Sequence, residues 1–183
     1  QIRSGIFGLF SNFLTPSLPS TQQLVDKQKD AMNNPGKYFY ENIMMGANVI
    51  ESCRKFKVKK IILLGTVCSY PKYCSVPFKE SDIWEGFPEE TNAPYGIAKK
   101  ALYVMLDAYN KQYGLNGTVL VPSNLYGPND NFDDNSSHVI PALIKKIYKA
   151  KLKNKKKVEV WGDGTASREF LYVGDLVDAI IKS

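Results

Sequence analysis

One histidine, His138, and three cysteines, Cys53, Cys68 and Cys74, are all the imidazole and thiol that this 183-residue chain contains. An odd, sparse set of cysteines argues against a disulfide framework and for a reducing cytoplasm. Their spacing matches no zinc pattern, and the histidine is far from them in sequence, so no metal site is expected. Long apolar runs are missing as well: no stretch could span a bilayer, and no membrane partner is expected. The opening QIRSGIFGLFSNFL is apolar but lacks a basic start and a small-residue cleavage site, which argues against a signal peptide. The chain does not begin with Met, which suits a fragment. Apolar residues make up 44% and charged residues 23%, as in an ordinary globular protein with room for one sizeable core.

Charge of one sign is concentrated. The net charge is +6, and the stretch 145–157 holds eight lysines. A solvated helix end followed by a loop accounts for them. Tyr148 is the only aromatic residue among them, so the stacking platform of a nucleic-acid surface is lacking and no nucleic-acid partner is expected. Attraction of anionic small molecules is the remaining use.

No internal repeat is present. The segment SNFLTPSLPSTQQ reads as loop from its Ser, Thr and Pro content. Residues 37–56 read as a helix, with Phe39, Ile43, Ala47 and Ile50 near helical spacing. KKIILLGT (59–66) is a short apolar run that suits a buried parallel strand. Residues 67–93 look irregular. A second helix is expected over 94–113, with Pro94 suited to its first turn and Gly114 to its stop. GTVLVPS (117–123) reads as another buried strand, 124–137 as a polar loop and 139–151 as a third helix. KVEVWG (157–162) alternates like a strand, and FLYVGD leads into a last helix with Asp175 as its N-cap. Strands alternating with helices point to an α/β fold with a parallel sheet, whose ligands bind at the carboxyl ends of the strands.

Those ends carry the chemistry. Tyr95 and Lys99 are four apart on a helix and share a face. A free tyrosine has a pKa of about 10, and a neighbouring ammonium favours the phenolate and lowers it. Such a pair can give a proton to a carbonyl that receives hydride. Tyr-x3-Lys alone is common by chance. Here a strand ending in Gly65-Thr66 precedes it and a strand ending in PSNLYGP follows. That order resembles the extended short-chain dehydrogenase/reductases, whose triad of Ser or Thr, Tyr and Lys matches Thr66, Tyr95 and Lys99.

Longer stretches, GTVCSYPK (65–72), APYGIAK (93–99), NLYGPNDNF (124–132), SSHVIPALI (136–144) and VWGDGTASREFLYV (160–173), resemble the GDP-L-fucose synthases. The likeness covers roughly residues 36–183. It implies a Rossmann-type doubly wound parallel sheet, present in part, with part of a smaller substrate-binding domain. Residues 36–135 would be a Rossmann portion, 136–183 would mix substrate-domain and Rossmann elements, and 1–35 align poorly. The activity implied is NADPH-dependent epimerisation at C3 and C5 of GDP-4-keto-6-deoxy-D-mannose and reduction at C4. Protons beside a ketone are acidic, and inversion needs a base and an acid. Thiolate and imidazole titrate near neutrality, which suits Cys68 and His138. The resemblance makes Cys68 the base and His138 the acid. It also implies cofactor contacts from Tyr95, Lys99, Pro122, Asn124, Leu125 and His138, and GDP-sugar contacts from Asn124, Lys146, Trp161 and Arg168. A homodimer through helices 37–56 and 94–113 is implied as well.

Departures exist. Val67 stands where the family usually has a second serine, and Lys146 where it has an arginine, whose planar fork suits a diphosphate. Gly5-Ile-Phe-Gly8 only superficially resembles the dinucleotide fingerprint. The expectation is therefore a chain without the first strands and the carboxyl end, which binds NADPH weakly and is inactive alone. Another nucleotide-sugar epimerase or reductase, a non-catalytic remnant that binds nucleotide sugar, and a basic nucleic-acid-binding module stay open as alternatives.

Overall fold

The computed structural model describes residues 34–134, 137–160 and 162–183. Gly5, Gly8, the segment SNFLTPSLPSTQQ and Trp161 lie outside them. The chain divides into two units. In the described residues, one comprises 34–130 with 159–183, and the other comprises 131–158.

In the first unit, helix α1 (Pro35–Lys55) leads into strand β1 (Ile61–Leu64), two short 3-10 turns (Val67–Ser69 and Glu80–Trp84), helix α2 (Ala93–Tyr113) and strand β2 (Gly117–Leu120). β1 and β2 pair in parallel, Ile61 opposite Gly117 and Leu64 opposite Leu120. Strand β3 (Asn124–Tyr126) pairs in parallel with β4 (Phe170–Tyr172). Helix α4 (Val173–Lys182) closes this unit; the described residues of the other contain helix α3 (Val139–Leu152). Helices alternating with parallel strands make the fold α/β, as the sequence pattern implies.

α1 and α2 form a hairpin against β1 and β2. Its core is Ile50, Ile61, Leu102, Leu106 and Leu115, with Ile43 and Ala47 packed around it. Gly46 faces the Leu102 side chain so closely that a Cβ would overlap it. α2 has a proline in its first turn, where the missing N–H leaves no hydrogen bond unmade. It ends at Gly114, whose φ of 67° lets the left-handed cap form.

Three local expectations are corrected. Residues 124–126, expected in a loop, pair with 170–172. The described residues 157–160, expected as strand, are irregular and have no ladder partner; Glu159 and Val160 are exposed, so their alternation buries nothing. Asp175 is not the N-cap of α4, which is Tyr172. It sits in the first turn, where a carboxylate still meets the positive end of the helix dipole.

In the second unit, Asp134 pairs with Lys145 and Lys149 at 3.0 Å each. The Lys145 hydrogen bond, with Lys149 beside it, holds the Asp134 carboxyl below its usual range. Part of the lysine tract is thus engaged in local ion pairing. All three cysteines are free thiols. No helix among the described residues is long and apolar enough to cross a membrane.

Candidate active site

β1 ends at Leu64, and the chain turns through Gly65 and Thr66 into the 3-10 turn Val67–Ser69. Thr66 caps that turn, its Oγ1 accepting from the Cys68 N–H at 3.2 Å. Its own N–H donates to the Tyr103 hydroxyl at 3.0 Å. Ser69, fully buried, donates through Oγ to the Gly96 carbonyl at 3.2 Å. Ser69 Oγ also shares a hydrogen bond with the Tyr103 hydroxyl at 3.2 Å. Gly96 lies directly against the Cys68 carbonyl, and any Cβ there would collide with that backbone. The turn carrying Thr66 and Cys68 is thereby seated on the first turns of α2, which carry Tyr95.

Lys99, one helical turn beyond Tyr95, donates through Nζ to the Leu64 carbonyl at 3.1 Å. The ammonium lies 5.7 Å from the centroid of the Tyr95 ring. Both side chains are half-buried. Burial pushes the Tyr95 phenol above its ordinary range, nearby Cys68 and Tyr103 add to this, and the Thr66 side chain, a hydrogen-bond partner, opposes it. Burial lowers Lys99. The expected depression of the tyrosine is corrected here: the Lys99 hydrogen bond goes to the Leu64 carbonyl, and desolvation of the phenolate decides the direction. A phenol kept neutral is a proton donor, the form that reduction of a ketone requires.

Pro122 is half-buried between β2 and β3. Asn124 and Leu125 lie exposed on β3. The Asn124 amide donates to the Glu169 carbonyl at 3.0 Å, and Asn124 is in register with Phe170. This brings the Arg168 segment alongside Asn124. Arg168 is exposed, with Nη1 donating to the Ser167 carbonyl at 2.7 Å. His138, exposed, occupies the N-cap position of α3, and Lys146 is exposed on the same helix. Both belong to the second unit. Trp161 lies outside the described residues.

Sequence reasoning did not find Tyr103, Ser69 or Gly96. A signal for the first was present: Tyr95, Lys99 and Tyr103 repeat every four residues on one helical face. Nothing local marks Ser69 or Gly96, because their importance comes from a contact between segments far apart in the chain.

A model of the NAD dependent epimerase/dehydratase family matches residues 23–183. A GDP-L-fucose synthase of Sinorhizobium fredii is 47% identical over 147 residues, which are 80% of this chain and 47% of that protein. The Escherichia coli GDP-L-fucose synthase is 44% identical over 147 residues, 80% of this chain and 46% of that protein. A solved GDP-L-fucose synthetase from Naegleria fowleri bound to NADP superposes with a TM-score of 0.71 at 32% identity, covering 82% of this chain and 49% of that one. The chain spans about half the length of the curated relatives it matches.

Proposed function

The chain belongs to the NAD dependent epimerase/dehydratase family, and from that premise we propose that it carries the proton-transfer centre of a GDP-L-fucose synthase. The reaction is epimerisation at C3 and C5 of GDP-4-keto-6-deoxy-D-mannose followed by reduction at C4. The observation that carries this reading is the packing of the Thr66–Ser69 turn against the helix bearing Tyr95 and Lys99, at the carboxyl end of β1. Ligands of open α/β sheets bind at such ends.

The donor set there fits a nicotinamide nucleotide. An ammonium has three N–H groups, and Lys99 holds one at the Leu64 carbonyl, which leaves donors for ribose hydroxyls at the strand end. When bound, NADPH supplies the hydride. Tyr95 gives its proton to the C4 oxygen, so that hydride and proton together convert ketone to alcohol. The Thr66 hydroxyl orients that oxygen. Cys68 takes the protons acidified by the C4 ketone, and the resemblance adds His138 as the acid that returns them. Pro122, Asn124 and Leu125 would line the nicotinamide, with Asn124 and Arg168 toward the GDP-sugar. The exposed guanidinium of Arg168 suits a diphosphate by paired charge-assisted bonds. Lys146 would add charge and Trp161 a ring surface.

On the same reading, residues 36–135 are a Rossmann portion and 136–183 mix substrate-domain and Rossmann elements. The protein is then a cytoplasmic homodimer joined through α1 and α2. Tyr40, Met45 and Val104 on these helices are more than half exposed, which supports a further covering surface. Light scattering at micromolar concentration tests it, and a monomer would contradict the dimer.

The chemical test is product analysis. The complete protein, given NADPH and GDP-4-keto-6-deoxy-D-mannose, should release GDP-L-fucose. A product with C3 and C5 unchanged would make it a different nucleotide-sugar reductase, one that needs neither Cys68 nor His138.

A further inference from the structure

Tyr103 stands outside the triad, yet its hydroxyl meets two points of the turn that bears Thr66 and Cys68. It accepts the Thr66 N–H at 3.0 Å and pairs with Ser69 Oγ at 3.2 Å. Ser69 in turn donates to the Gly96 carbonyl, one residue from Tyr95. Tyr103 is 7% exposed and Ser69 fully buried, so neither bond can be exchanged readily for one to water. The Tyr103 hydroxyl also lies against Gly65, within 2.6 Å of where a Cβ would sit, so the chain at the end of β1 rests on it. The turn has three helical residues and two backbone bonds of its own, Ser69 N–H to the Thr66 carbonyl and Tyr70 N–H to the Val67 carbonyl, and the Tyr103 hydroxyl adds a tie to the helix.

We propose that Tyr103 is a positioning residue: its hydroxyl, shared between Thr66 N–H and Ser69 Oγ, fixes the turn that presents Thr66 and Cys68 beside Tyr95. The inference rests on reading Thr66 and Cys68 as reacting groups. It adds Tyr103 to Thr66, Cys68, Tyr95 and Lys99 as a fifth side chain, one that acts only through the others. Tyr103 reaches the turn from two helical turns beyond Tyr95, so α2 supplies both the proton donor and the brace for its partner.

The test uses Tyr103→Phe, which keeps the ring and removes only the oxygen, with Tyr109→Phe as control. Tyr109 lies on the same helix and its hydroxyl donates to Glu51 at 3.1 Å, away from the turn. Three readouts on this chain need no substrate: the amide exchange of Thr66, its amide proton resonance, and the peptide-resolved rate of Cys68 alkylation. Tyr103→Phe should move the Thr66 resonance and speed both rates about fivefold, the size of one hydrogen bond's net contribution. Tyr109→Phe should leave all three unchanged. Ser69→Ala should give the same pattern at smaller size. In turnover by the complete protein, Tyr103→Phe should lower kcat and leave KM unaltered. A folded Tyr103→Phe with unchanged Thr66 and Cys68 signals would overturn the proposal, as would an equal response from Tyr109→Phe. Failure of the functional reading looks different: the turn responds as expected, but the unmodified protein forms no GDP-L-fucose.

Discussion

The two halves of α2 use the same residue type for different ends. Tyr95, in the first turn, and Tyr103, at the middle, meet the turn after β1: one has the Thr66 side chain as partner, the other its backbone N–H and Ser69. Tyr109 and Tyr113, in the carboxyl half, serve the helix hairpin. The Tyr109 hydroxyl donates to Glu51, its ring meets that of Tyr113 edge-on at 5.1 Å, and Arg54 lies 4.9 Å from the Tyr113 centroid. Leu102, just before Tyr103, and Leu106, between the two sets, join α1 to the strands. The contrast teaches that one helix can be anchored by its carboxyl part while its amino part braces the turn after β1; on the proposed reading of that turn, stability and chemistry should separate by position along the helix.

The largest effect expected is on stability alone. Leu106→Ala removes a core side chain 3% exposed and should cost about 2–5 kcal/mol in chemical denaturation. In the protein that remains folded, Cys68 alkylation should keep its rate; a change there would break the separation. Gly96→Ala comes next. Its Cβ meets the Cys68 carbonyl, which is backbone and yields only if the turn moves, at about 1–3 kcal/mol. Here Cys68 reactivity should change with stability, the opposite pattern from Leu106→Ala.

Smaller effects follow from titration. The Arg54 hydrogen bond, helped by Tyr109, holds Glu51 at about 2. A depressed carboxyl contributes stability above its unfolded pKa and loses it as pH falls. Unfolding midpoints of the parent and Glu51→Gln should therefore differ at neutrality and converge between the ordinary glutamate range and about pH 2. The smallest effect belongs to Tyr95. Its raised pKa means that stability tied to the neutral phenol is intact below about pH 10 and is lost as pH rises through the folded value. Difference absorbance between the parent and Tyr95→Phe should show a phenolate appearing later than in a free tyrosine; ionisation near neutrality would contradict the direction found here.

These comparisons also show what the sequence could disclose. The hairpin and its strands were readable because apolar spacing, Pro94 and Gly114 are local signals, and the helices extend over Pro35–Lys55 and Ala93–Tyr113 nearly as that spacing implies. β3 escaped notice because Asn124–Tyr126 is three residues long and becomes a strand only by pairing with Phe170–Tyr172, far along the chain. Thr66, Cys68, Tyr95 and Lys99 were legible as a motif, but the direction of the Tyr95 shift was not. Spacing places the ammonium near the ring, whereas desolvation depends on the tertiary packing around the phenol. The four-residue spacing puts Tyr103 on the face of Tyr95 and Lys99, but its partner Ser69, 34 residues away, leaves no trace in local pattern.

The division of labour between the thiol and the phenol is tested most directly by following solvent deuterium and NADPH oxidation together. The complete protein is given GDP-4-keto-6-deoxy-D-mannose in deuterated buffer, as Cys68→Ser and as Tyr95→Phe. Tyr95→Phe keeps Cys68 and should wash deuterium into C3 and C5 while oxidising little NADPH. Cys68→Ser puts a hydroxyl, a far weaker base than a sulfur, at that position and should oxidise NADPH with little deuterium at those carbons. If both folded variants lose both activities equally, the proton-transfer centre assigned to Thr66, Cys68, Tyr95 and Lys99 does not divide as described.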